Sequence, residues 1–584
     1  MLTARVLRLL LWGVDPASIL CLTFTKAGAA EMADRIHARL AYWVRLNDAD
    51  LGQELKALGE TLGAETRARA RTLFARVLDA AGGGLRIQTI HAFAQSLLSA
   101  FPAEADLVPG FRPLEGREEQ LLARTTLADL LVRAEAGGDF PLLRDVQALS
   151  HRMGEGGAED FLMCCARAPA AMLALGPREG IEARLRRAFG IPAGDIEEAI
   201  ARQCCDELFD VAGLRRLGLL NRAWATKNGI ERANLCDKWV GATPQERAQL
   251  LDDLHLVWAK ADGEIRSFSK GQAPQDPNYI GLATAAFECC ARLVSMRKVA
   301  KLVEQFAAGL RAGQTFSAAY VAAKRAQGVV DFDDLISRAE QLLLTPGMGD
   351  WVRYKLDQST DHILVDEAQD TNERQWNIVR ALALEYFAGE GASSRDRTIF
   401  TVGDYKQAIF GFQGTDPRSF DVARAYFERE ARGIGEAFLD LSMDRSFRSS
   451  PAVLQAVDHV IADVGYEAFG LPRCPNPHDS AHSGRPGSVT VWQPYTEELE
   501  LAGDDAGEEG WISDATRRYA SRLARQIRSW LQEPFHVEGK GRPLRPEDIL
   551  ILVRRRGALA SLIVARLHAE GVPVAGVDRL LLSA

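Results

Sequence analysis

Cysteine is sparse: nine residues among 584, with no Cys-x-x-Cys spacing anywhere. Six of the nine form adjacent pairs, Cys164-Cys165, Cys204-Cys205 and Cys289-Cys290, and neighbouring side chains on a helix point in different directions. A thiolate metal site or iron–sulfur cluster is therefore not expected, and reduced thiols in a cytoplasmic protein fit the pattern. Also missing is any uninterrupted apolar run near the roughly 18 residues that cross a bilayer. The opening Met1-Leu2-Thr3-Ala4-Arg5 has no basic region followed by an apolar stretch and a small-residue cleavage site. Neither a membrane association nor a secretory leader is expected. Excess base is lacking too. With 70 Lys+Arg against 79 Asp+Glu the net charge is −9, so any nucleic-acid path must be a local groove and not a basic coat.

What is present is ordinary globular material, 47% hydrophobic and 26% charged, which excludes a disordered tail, a collagen-like fibre and a small disulfide scaffold. The length suggests about three or four folding units. Ile19 to Thr23 reads as a buried strand followed by an amphipathic helix from Ala27 to Leu40. Arg86 to Thr89 reads as a second strand, set off by the Gly82-Gly83-Gly84 breaker. From Glu118 to Phe316 the pattern is helix after helix. Strands return at His362–Val365 and Thr398–Val402, then at Ala437–Leu441, Ser488–Trp492 and Ile549–Val553. Pro472 to Gly487 reads as an exposed loop, and acidic Glu497 to Gly510 as another. The pattern predicts an α/β sheet interrupted by a long helical insertion, then the start of a second α/β unit.

Three segments carry chemistry. In Ile363-Leu364-Val365-Asp366-Glu367-Ala368-Gln369-Asp370 an apolar strand runs into two carboxylates, which a parallel sheet would present at its ligand-binding carboxyl edge. One acid can hold a magnesium ion bridging nucleotide phosphates, and the next can orient and deprotonate a water. In Thr401 to Gly414, Gln407 is placed to sense a terminal phosphate, and Phe410 and Phe412 can stack on bases. In Leu441 to Pro451, Arg448 can neutralise phosphate charge.

Taken in order, these segments resemble the superfamily 1A DNA helicases of the UvrD/Rep/RecB type. Cys21 to Met32 looks like motif Ia of that family, Ile87 to Phe93 like motif Ic, and Asp331-Phe332-Asp333-Asp334-Leu335 like the segment preceding its acidic motif. The Phe412 to Pro417 ending and the Ser-Phe-Arg-Ser string are most similar to the AddA subunit of bacterial AddAB helicase–nucleases. The resemblance implies a RecA-like P-loop NTPase lobe with a large all-helical insertion, followed by the first part of a second RecA-like lobe. Residues 1–117 and 316–435 would form the first lobe, 118–315 the insertion and 436–584 the partial second lobe. It further implies ATP and Mg2+ as cofactors, with Asp366 as the metal ligand, Glu367 as the catalytic base, and Gln407 and Arg448 on the γ-phosphate. Thr23, Phe24, Thr25, Thr89, His91, Phe410 and Phe412 would line a single-strand path. The implied partners are single- and double-stranded DNA and an AddB-like nuclease subunit.

The implied activity is an ATP-dependent 3′–5′ DNA helicase acting in double-strand break repair and recombination. No Gly-x-x-x-x-Gly-Lys-Ser/Thr string occurs in these residues. Met1 to Leu10 resembles the helix that follows that loop in the family, so the chain is expected to begin just after its own P-loop. Motifs V and VI and any nuclease domain are not found, and these residues alone are expected to be inactive. Two other readings are a stand-alone UvrD/Rep-like repair helicase and a catalytically dead DNA-binding or structural subunit. In-frame sequence carrying Gly-Lys-Thr would favour the motor.

Overall fold

The computed structural model describes the chain except residues 62, 80–83, 261–262, 269–272, 358, 388–395, 410, 412–414, 444, 472–473, 496–512, 535, 538–539, 555–556 and 576–584. The described chain is a mixed α/β structure of two compact units. The first holds Met1–Asp404 and Ile409–Ser419, the second Tyr405–Ala408 and Phe420–Ala584.

The first unit opens with helix α1 (Leu2–Leu11) and strand β1 (Ile19–Thr23), whose five residues are all buried. An all-apolar run buried on both faces is what a central parallel strand requires. Helix α2 (Lys26–Arg45) buries Met32, Ile36, Leu40 and Trp43, spaced to share one helix face. After α3 (Asp48–Ala57) and α4 (Ala64–Leu78) come β2 (Arg86–Thr89) and α5 (Ile90–Ala100). Leu7, Leu10, Ile19, Ile36, Trp43, Leu55, Leu73 and Leu364 pack into one core beneath the sheet.

A short strand β3 (Arg112–Pro113) leads into helical territory: α6 (Arg117–Gly137), α7 (Phe140–Ala166), shorter helices between Pro169 and Trp258, and α8 (Tyr279–Gln327). At 1.5 Å per residue, the 49-residue α8 is about 73 Å long. Its first half shares a core with Trp239, Leu254 and Trp258, and its second half packs on α6 and α7. The α7–α8 approach depends on glycine. A Cβ on Gly313 would lie 2.4 Å from Cys165 Sγ, and one on Gly309 would lie 3.2 Å from the Phe161 ring. By length and average composition α8 could cross a bilayer, although no uninterrupted apolar run shows this. It packs along α7 and α6 within this unit.

Beyond α8 follow β4 (Val329–Val330), which pairs with β3, then α9 (Phe332–Leu344), β5 (His362–Val365), α10 (Glu373–Ala383) and β6 (Thr398–Thr401). The main sheet has the order β2-β1-β5-β6 with every pairing parallel. All four carboxyl ends therefore lie along one edge.

The second unit contains α11 (Pro451–Val464), α12 (Asp514–Gln532) and α13 (Ala558–Ala569), plus a parallel pair formed by β7 (Arg445–Ser446) and β8 (Asp479–Ser480). Here the structure departs from the sequence pattern. Ala437–Leu441, Ser488–Trp492 and Ile549–Val553 carry no strand. Alternation does persist in the last of these: Ile549, Ile551 and Val553 pack on the α12–α13 core while Leu550 and Leu552 are 80% and 84% exposed. Periodicity selects the inward face, but a strand also needs a ladder partner. In the stretch expected as an exposed loop, the described residues 474–487 are mostly without regular structure, and Asp479–Ser480 add the short strand β8 paired with β7. Acidic Glu497–Gly510 lies outside the described residues.

Candidate functional site

The carboxyl edge of the sheet collects most of the singled-out residues of the first unit. Thr23 ends β1 in register with Thr89 at the end of β2, and Leu22 pairs with Val365, one residue before Asp366. The Asp366 amide donates to Leu22 O at 2.9 Å, which ties the acidic turn to the end of β1.

The threonines do local work at these ends. Thr25 and Thr89 are the N-caps of α2 and α5, accepting from Gly28 N at 2.9 Å and Ala92 N at 3.1 Å. Thr23 is buried and its hydroxyl donates to Thr25 O. Phe24 is half-buried. His91 packs edge-on against Phe332, with ring centroids 5.4 Å apart, and burial lowers its imidazole pKa. Phe332, 41% exposed beside it, is an aromatic that sequence reasoning did not single out as a contact.

After β5 the backbone turns sharply. Glu367 has φ 51°, a left-handed conformation that non-glycine residues adopt at a cost of about 1–3 kcal/mol. The twist exposes the Glu367 side chain, while Ala368, Gln369 and Asp370 are buried. Asp366 is half-buried, and its carboxyl pKa is raised, first by desolvation and second by the neighbouring Glu367 carboxylate. Desolvation and Glu367 likewise raise Asp370. Cys21 on β1 is pushed up to about 12 by burial and then by Asp366.

Gln369 is the residue that sequence reasoning missed. At 1% exposure its amide spans the site: Nε2 donates to Glu367 Oε2 at 2.7 Å and to Asp370 Oδ2 at 3.2 Å, while Oε1 accepts the Asp404 amide at 2.9 Å. It therefore links the acidic turn to the segment leaving β6. The glutamine is visible in the Ile363–Asp370 string, but its partner lies 35 residues away and no local spacing points to it.

A half-desolvated Asp366 carboxylate beside the exposed Glu367 carboxylate favours a cation. Among the described residues no group of three or more His, Cys, Asp or Glu could hold a metal. A magnesium ion would thus be held by Asp366 together with water and phosphate oxygens, a common arrangement at nucleotide sites. The like-charge stress has a measurable consequence. A carboxyl whose pKa is raised on folding binds its proton more tightly in the folded state, so stability declines as pH rises through the unfolded carboxylate range, near 3.9, toward the folded value. Asp366→Asn is therefore expected to stabilise the chain at pH 7, by less than about 1 kcal/mol because solvent screens this half-exposed carboxyl. The gain should vanish by about pH 3.5, measured by urea unfolding. A variant less stable than wild type at pH 7 would contradict this.

Gln407 and Arg448 belong to the second unit, and both are exposed. Arg448 lies just beyond β7. Phe410 and Phe412 lie outside the described residues.

Comparison with known proteins gives the family. Residues 1–428 match the model of the UvrD/REP helicase N-terminal domain. The chain is 25% identical over 614 residues to the AddA polypeptide of the ATP-dependent helicase/nuclease of Geobacillus thermodenitrificans (strain NG80-2), covering 96% of this chain and 45% of that protein. To the protein of the same name in Pelotomaculum thermopropionicum (strain DSM 13744 / JCM 10971 / SI) it is 26% identical over 635 residues, 96% of this chain and 46% of that one. To the RecB polypeptide of the RecBCD enzyme of Escherichia coli (strain K12) it is 24% identical over 559 residues, 93% and 43% respectively. The chain spans about half the length of the curated relatives it matches. With most of its length matched by the family model and an acidic turn at the carboxyl edge of a parallel sheet, the chain belongs to the UvrD/REP helicase family.

Proposed function

We propose that the chain is motor material of an ATP-dependent 3′–5′ DNA helicase of the AddA kind, serving double-strand break repair and recombination beside an AddB-like nuclease subunit. The reading extends to its domains: residues 1–117 and 316–435 as a RecA-like lobe, 118–315 as a helical insertion and 436–584 as part of a second lobe. The observation that carries it is the Asp366-Glu367 turn set at the sheet edge between the ends of β1 and β6.

In this reading Asp366 holds Mg2+, which when bound offsets the negative charge of the phosphates. Gln369 occupies Oε2 of Glu367 and orients the carboxylate, leaving Oε1 to accept a proton from the attacking water. The water oxygen bonds to the γ-phosphorus as the bond to the bridging oxygen breaks, and the electron pair leaves on ADP. Gln407 and Arg448 contact the γ-phosphate. Thr23, Phe24, Thr25, Thr89, His91, Phe410 and Phe412 flank the single strand.

The test is strand displacement by the full-length gene product in complex with its nuclease partner, on duplexes carrying a single 3′ or 5′ tail. ATP-dependent displacement from the 3′-tailed duplex alone is expected. Displacement from the 5′ tail alone would refute the polarity, and none from either would refute the motor.

A further inference from the structure

Arg448 combines an exposed side chain with a tightly held backbone. Among the described residues nothing hydrogen-bonds or ion-pairs its guanidinium, yet every carbonyl from Ser446 to Ser449 accepts a hydrogen bond from one short segment, Ser480 to Arg485. The Ala481 amide donates to Ser446 O at 2.8 Å. His482 Nε2 donates to Phe447 O at 3.1 Å, and a guanidinium nitrogen of Arg485 donates to Arg448 O at 3.0 Å. Ser480 Oγ donates to Ser449 O at 2.8 Å. From within the turn, Ser446 Oγ accepts the amides of Arg448 and Ser449 at 3.3 and 3.2 Å.

The clasping segment is anchored just before its start and packs closely just after its end. His478 meets Asp458 on α11 through its backbone amide at 2.9 Å and its Nδ1 at 2.5 Å. Gly487 lies so close to Ser450 that a Cβ there would fall 2.1 Å from the serine Oγ. A turn needs one or two of these bonds to hold its shape. Satisfying four successive carbonyls from a separate segment fixes the direction in which residue 448 leaves the backbone. Holding a charged group ready, so that a ligand need not order it, is how binding sites reduce the entropic cost of engagement.

We infer that Ser480, His482 and Arg485 are positioning residues that hold Arg448 ready for an anionic terminal phosphate, an inference that rests on the γ-phosphate role proposed for Arg448. The clasp works through backbone carbonyls, so it fixes where the Arg448 side chain starts without competing for the guanidinium donors.

The test compares binding of Mg·ATP and Mg·ADP to the full chain by calorimetry, with thermal unfolding as the check on folding. Arg448→Ala should weaken ATP binding about 10- to 100-fold and leave ADP unchanged, as expected for a lost charged hydrogen bond. Arg485→Ala and Ser480→Ala should each weaken ATP binding about 2- to 10-fold, again sparing ADP, with little change in melting temperature. Arg485→Lys, which keeps a donor, should restore the preference. If Ser480→Ala does not fold, the exposed Arg485 pair of variants carries the comparison. ATP preference abolished in Arg448→Ala but intact in Arg485→Ala would overturn the clasp alone. A wild type that binds both nucleotides equally, or an Arg448→Ala that loses no preference, would overturn the phosphate role itself and the clasp with it.

Discussion

Glu367→Gln is expected to slow ATP-driven strand displacement by the nuclease-partnered complex about 100- to 10,000-fold, while single-stranded DNA affinity stays unchanged. The substitution preserves side-chain shape and keeps an oxygen able to accept from Gln369 Nε2, so the left-handed backbone at residue 367 and the link through Gln369 to Asp404 remain in place. What it removes is the basic oxygen that takes the proton from water. It also removes the negative charge that is the second cause of the raised Asp366 pKa, so the Asp366 carboxyl should shift back toward its ordinary range. Metal affinity and turnover should therefore part company, one changing little and the other collapsing. Displacement at a rate close to wild type would show that the proton goes elsewhere and that Glu367 is only a negative neighbour of Asp366.

Lys324→Met should cost about 3–5 kcal/mol of folding stability at pH 7, read from urea unfolding. Lys324 is buried near the end of α8, and its Nζ lies 2.7 Å from Asp331 Oδ2 and 2.5 Å from Asp334 Oδ2, with the Tyr320 ring 5.0 Å away. Burial alone would lower the pKa of this lysine, yet the two carboxylates outweigh it and the net shift is upward. Asp331 and Asp334 form a reciprocal cap on α9, the helix that packs on α5 and α10 beside the acidic turn. Methionine matches the volume and strands the buried Asp331 and partly buried Asp334 carboxylates without a cation. Asp334 is already raised by burial and then by Asp331, and losing Lys324 raises it further. The folded variant then holds protons more tightly than the unfolded chain, so the penalty is full above the folded carboxyl pKa and shrinks as pH falls toward about 3.9. Adding Asp331→Asn and Asp334→Asn should recover most of the loss. A single variant within about 1 kcal/mol of wild type would show that water, not the lysine, satisfies these acids.

Much of the first unit was legible in the chain itself. Ile19–Thr23 and His362–Val365 are runs buried on both faces, and such runs stay apolar throughout because a central parallel strand has no wet side. Thr25 and Thr89 were read as single-strand contacts, and the structure makes them helix N-caps whose hydroxyls reach amides three residues on. Asp366 and Glu367 were readable as the end of a strand that must stop at the sheet edge.

Only the tertiary structure decided the rest. Gln369 meets Asp404 across 35 residues, and Arg485 meets the Arg448 carbonyl across 37. Ala437–Leu441 and Ser488–Trp492 have strand-like composition and carry no strand, while the Pro- and Ser-rich stretch before Gly487 forms the clasp. Apolar periodicity records which face of a segment avoids water. It does not record which distant donor will satisfy which carbonyl, because that depends on chain paths that only the folded molecule brings together.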